Sequence, residues 1–139
     1  MTLDAFRLYH STIIEHYQYI EHHLEGIYAM ICGKPFHAGL EDVEKSNLHQ
    51  LICEINRTET KLASPILSSS DYETLEQIRV RRNYWCHECY VEMVFDSKTN
   101  APRERYVPLL LEDLRAAESF RDLLFEKKIL LKHQYPFAP

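Results

Sequence analysis

Nine apolar residues, Leu3, Phe6, Tyr9, Ile13, Tyr17, Ile20, Leu24, Ile27 and Ile31, recur at intervals of three or four from the start of the chain. Such a period places them along one stripe of a helix of about eight turns, which must bury that stripe against other elements. Gly33 and Pro35 then end the helix, the first by tolerating a left-handed turn and the second by opposing continuation. With only three glycines and six prolines in 139 residues, the chain is poor in tight-turn residues and suits a few long helices.

Three further helical segments follow. Leu40, Val43, Leu48, Leu51, Ile52, Ile55 and Leu62 form a second stripe, whose short connection to the first implies an antiparallel neighbour. "SPILSSS" interrupts it, and Ser70 with Glu73 has capping-box spacing for a third helix starting near Asp71. That helix carries Leu75, Ile78, Trp85, Cys89 and Met93 on one stripe, with Cys86 beside it. Val80, Tyr84, Val91 and Phe95 add apolar surface elsewhere around its axis, as in a central helix or a subunit interface. After the polar "DSKTNAPRERY", Pro108 suits the first turn of a fourth helix bearing Leu111, Leu114, Ala117, Leu124 and Leu131. Lys127, Lys128 and Lys132 complement the dipole at its C-terminal end, and "YPFAP" reads as a tail. The pattern predicts a single all-α domain over 1–139, an up-and-down four-helix bundle with helices near 2–32, 39–62, 71–95 and 108–133.

No apolar run reaches the ~20 residues that span a bilayer, and the N-terminus lacks an apolar signal core, so a soluble cytoplasmic protein is expected. Four cysteines without a secretory signal read as reduced thiols. A formal charge of −5 argues against a surface uniformly attractive to nucleic acid but leaves room for a local basic site. Arg79, Arg81 and Arg82 form the tightest cationic cluster, and Arg103 with Arg105 a smaller one.

That cluster leads into "RRNYWCHECY", residues 81–90. Cys86 and Cys89 are spaced to share an ion, with Cys32 or Cys53 available from other segments, but no second Cys-x-x-Cys or His-Glu-x-x-His supports a metal centre. The plainer reading makes both cysteines small core residues, and no cofactor is expected. Cys86 and His87 are adjacent, about 100° apart on a helix, and do not form a nucleophile–base pair. Asn83, His87 and Tyr90 lie at i, i+4 and i+7 on one polar stripe, while Arg82 sits roughly 140° from His87 in an α-helix. An imidazole can take the proton of a ribose 2′-hydroxyl and return one to the leaving 5′-oxygen, while a guanidinium stabilises the phosphoryl charge without a metal. From spacing alone, the same residues serve equally well as an arginine and a histidine satisfying carboxylates between helices.

Arg82-Asn83-Tyr84-Trp85-Cys86-His87 resembles the signature of the HEPN superfamily, an arginine followed after four to six residues by a histidine, with asparagine commonly next to the arginine. The signature normally lies on a late helix of an α-helical bundle, so the layout of the whole chain is covered, although only this decapeptide has specific residues. The resemblance implies a metal-independent endoribonuclease, dimeric so that two motifs share a cleft, and often a toxin or antiviral defence component with a cognate antitoxin. It makes His87 the acid–base residue, Arg82 the phosphate stabiliser and Asn83 their positioning partner. Arg79 of the cationic cluster and Tyr90, one turn from His87, are the expected substrate contacts, and packing at an interface is the plainer role for Tyr90. The competing expectation is a non-catalytic helical module that binds a protein or nucleotide. Toxins of this kind paired with small nucleotidyltransferases carry a tyrosine two residues after the histidine that receives AMP. Here Cys89 stands at that place and Tyr90 follows it, a departure from that subgroup.

Overall fold

In the computed structural model, which describes residues 1–92, 98 and 101–134, the chain is all-helical. Helix α1 spans Leu3–Ile31 and is capped by Thr2, whose hydroxyl accepts the Ala5 amide. Seven of its nine stripe positions (Phe6, Ile13, Tyr17, Ile20, Leu24, Ile27 and Ile31) are buried and form the spine of the core.

The expected second helix over 39–62 is in fact two, α2 (Phe36–Val43) and α3 (Leu48–Glu59). Its apolar period contains the reason, since the step from Val43 to Leu48 is five residues and breaks the three-or-four rule. Asn47 sits in that gap and caps α3, with Gln50 returning the bond in a capping box. α2 folds back closely on α1. A Cβ on Gly39 would stand 2.9 Å from the Ala29 Cα, so this glycine sets the approach. Among the described residues the bundle therefore has five α-helices rather than four.

Helix α4 spans Ser69–Asn83 and starts two residues before the expected place, because Ser68 rather than Ser70 is its cap. Asp71 serves as the reciprocal member and also meets Lys127, 3.3 Å away on the last helix. The chain then passes through a π-helical turn, Tyr84–Glu88, which brings Trp85 fully into the core. Met93, Phe95 and the expected end of this segment near 95 lie outside the described residues, as does the YPFAP tail. Helix α5 spans Tyr106–Gln134, with Pro108 in its first turn where its missing N–H costs nothing.

Ion pairs and ring contacts give the directions. Arg82 meets Glu21 and Trp85 meets His10, so α4 runs antiparallel to α1. Arg81 meets Asp113 and Asp71 meets Lys127, so α5 runs antiparallel to α4 and parallel to α1. The N-terminal end of α1, the π turn and the start of α5 consequently share one end of the molecule. No helix among the described residues is long and apolar enough to cross a membrane.

One buried polar side chain carries a consequence for stability. His23 is only 7% exposed, and burial with nearby Lys128, His22 and Arg121 pushes its pKa down to about 4. In the unfolded chain a histidine titrates near ~6.5, so protons bind the unfolded state more readily below that value. The folded state should thus keep its full stability above about pH 6.5 and lose this contribution progressively as the pH falls toward 4. Urea midpoints at pH 7 and pH 5 should differ less for His23→Gln than for the parent protein. An equal drop in both would rule out His23 as the source.

Candidate functional site

The π turn organises the motif. In an α-helix the Cys89 amide would donate to the Trp85 carbonyl, but here it donates to the Tyr84 carbonyl at 3.0 Å, five residues back. The Trp85 carbonyl is instead met by His10 Nε2 of α1 at 2.7 Å and by the Cys89 thiol at 3.3 Å. A carbonyl only accepts, so His10 carries its proton on Nε2 and is held as a structural donor. Its ring lies parallel to Phe6, 6.4 Å between centroids, and edge-on to Tyr90, 5.0 Å between centroids. The motif in the sequence does not point to His10. Its only local signal is the i, i+4 relation to Phe6, and the bond that matters reaches across 75 residues.

Because a π turn closes five residues back, positions five apart come round toward each other. The 140° separation expected for Arg82 and His87 therefore narrows. The two side chains nonetheless meet different surroundings. Arg82 turns inward to α1, with Nη2 2.8 Å from Glu21 Oε1. The contact has ion-pair distance without hydrogen-bond alignment, and that enclosed carboxylate oxygen keeps no hydrogen-bond donor. Burial raises the Glu21 pKa, and Arg82 opposes the rise. Asn83 and His87 are both exposed, and no hydrogen bond or ion pair joins His87 to another described residue.

The expected substrate contacts are placed differently from one another. Arg79 pairs with Glu76 one turn earlier on the surface of α4. Tyr90 leans on His10 and Phe6 while leaving 42% of its surface exposed. Arg81, the third arginine of the cluster, is bound into the fold. Its Nε donates to Asp113 Oδ2 at 2.6 Å, the same oxygen that accepts the Trp85 indole N–H at 2.7 Å. Neighbouring arginines of one decapeptide are thus divided between α5 and α1.

The two cysteines of CHEC part company. Cys89 is buried against Trp85 and His10, and burial raises its pKa to about 11, so it stays a thiol at neutral pH. Cys86 is exposed beside Arg82 and Glu21, and its pKa is also raised, first by burial, with Arg82 opposing. Among the described residues, no group of three or more His, Cys, Asp or Glu side chains is arranged to hold a metal ion. Compared with family models, curated proteins and solved structures, the chain has no match.

Proposed function

We propose that this chain is a HEPN-like, metal-independent endoribonuclease that acts as a homodimer in the cytoplasm, a toxin or defence component restrained by a cognate antitoxin. The observation that carries the reading is an exposed His87, without a hydrogen bond or ion pair among the described residues, on a π turn that follows Asn83 and an arginine already held in place by Glu21. In this reading the His87 imidazole removes the proton from a ribose 2′-hydroxyl, whose oxygen attacks the adjacent phosphorus. The P–O5′ bond then breaks, leaving a 2′,3′-cyclic phosphate and a 5′-hydroxyl that receives its proton from an imidazolium. Arg82 exchanges its partly buried carboxylate partner for the phosphoryl oxygens, and the Asn83 amide orients the phosphate. Leu8, Tyr9, Tyr90 and Val91 are exposed at the same end of the bundle, and this supports a second copy docking there.

The Arg82–Glu21 contact also favours a second reading, in which the arginine is structural and the bundle is a non-catalytic protein- or nucleotide-binding module. Incubating the purified protein with mixed RNAs in EDTA separates the two. The nuclease reading expects fragments ending in 2′,3′-cyclic phosphate. Intact RNA in the presence of a stable dimer would leave only the binding module.

A further inference from the structure

The flank of α1 opposite Glu21 carries a feature that the motif does not use. Tyr19, His23, Arg121, Asp122 and Phe125 line an open cleft of about 280 Å³ between α1 and α5. The Arg121 Cζ stands over the Tyr19 ring, 3.7 Å from its centroid, and the guanidinium donates to His16 Nδ1 at 3.0 Å. Next along α5, Phe125 sits 5.7 Å from the His23 ring and leaves 52% of its own surface exposed. One further turn on, Lys128 lies against Gly26, where a Cβ would come within 2.9 Å of its Cε. Arg121, Phe125, Lys128 and Lys132 are spaced four, three and four residues apart, and so line one face of α5.

Two observations set this seam apart from the other packed cations. Arg81, Arg82 and Lys127 each meet a carboxylate, whereas Arg121 and Lys128 have no ion-pair partner among the described residues. His23 Nδ1 is enclosed without a hydrogen-bond partner among the described residues. A buried donor without an acceptor is the costlier arrangement, which favours the tautomer with the ring proton on Nε2. Arg121 and Lys128 are seven residues apart, about 10 Å along the helix, with an exposed ring between them. Cations flanking an aromatic platform form the pattern that binds single strands, phosphates on the charges and a base on the ring. Asp122, the acidic residue of the lining, can accept from a ribose hydroxyl.

We propose that the α1–α5 seam is an accessory site for single-stranded RNA, with one phosphate on Arg121 and the His23 N–H, one base on Phe125, and the next phosphate on Lys128. The inference rests on the ribonuclease reading for its choice of strand, but it requires binding and no turnover. A labelled single-stranded RNA 12-mer, titrated with His87→Ala protein in EDTA and followed by fluorescence anisotropy, tests it without cleavage. Adding Phe125→Ala should weaken binding about tenfold. Arg121→Gln should weaken it and reduce the salt slope by roughly one. Phe125 is half-exposed, so its removal leaves the core intact even if Arg121→Gln disturbs the Tyr19 contact. Binding as tight in both variants as in His87→Ala alone would overturn the proposal. Competition by AMP equal to that by the 12-mer would also overturn it, since the seam would then hold a lone nucleotide. Retained cleavage by the His87→Ala protein without EDTA would instead defeat the ribonuclease reading and leave the binding result standing.

Discussion

Trp85→Ala should lower the free energy of unfolding by about 3–5 kcal/mol, the range for removing a large buried aromatic. Trp85 is fully enclosed, 4.8 Å from Tyr84 and 6.5 Å from both Phe6 and His10 between ring centroids. It is also the residue at which three helices are tied. Its carbonyl is met by His10 of α1, its indole N–H donates to Asp113 of α5, and its backbone belongs to the π turn after α4. Against a domain stability of about 5–15 kcal/mol, the loss would leave a chain near its unfolding threshold. Trp85→Phe keeps most of the ring and sacrifices the indole donor, while Asp113 retains Arg81; its cost should be about 1–2 kcal/mol. Urea unfolding followed by far-ultraviolet circular dichroism measures both, because the chain contains one tryptophan and its fluorescence is lost with it. Equal midpoints for Trp85→Ala and Trp85→Phe would mean that ring packing does not govern this end of the bundle.

The parts of the fold legible in the sequence are those set by local period. The stripe of α1 is continuous at intervals of three and four, and burial follows it from Phe6 to Ile31, apart from Tyr9, which is 38% exposed. The start of α4 is less sharply marked, because Ser68 with Asp71 and Ser70 with Glu73 both have capping-box spacing. The chain uses the first, and Asp71 also meets Lys127 on a helix more than fifty residues away. The break between α2 and α3 was present in the five-residue step after Val43 and in the Asn47–Gln50 pair, although the apolar stripe carried across it.

The site was less legible for the same physical reason. Arg79, Arg81 and Arg82 look alike in sequence, yet one pairs within its helix, one with α5 and one with α1. Only the packing of the bundle distinguishes them. The Trp85 carbonyl in the π turn is met by His10, which lies outside the decapeptide altogether. Along α5, Lys128 fits a helix-dipole reading by position, while its actual neighbour is the backbone of α1 at Gly26. A helical sequence states which face is apolar; it does not state which neighbour each charge on the other faces will meet.

His87→Ala is expected to reduce RNA cleavage at least 100-fold with little change in stability. General acid–base groups contribute about 10²–10⁴ to rate, and the His87 side chain is exposed with no hydrogen bond or ion pair among the described residues. The obvious companion, Arg82→Ala, is a poorer test of chemistry. It would remove the proposed phosphate stabiliser and strand the partly buried Glu21 carboxylate in one step, so lost activity and lost fold would arrive together. Pairing it with Glu21→Gln resolves this, since the double variant has no stranded charge. If Arg82 is structural alone, the double variant should regain both stability and cleavage; if Arg82 acts on phosphate, stability should return without cleavage. Single-turnover cleavage in EDTA, set beside urea midpoints for the same four proteins, reads the two effects separately. Undiminished cleavage by His87→Ala would remove the acid–base role and with it the nuclease mechanism.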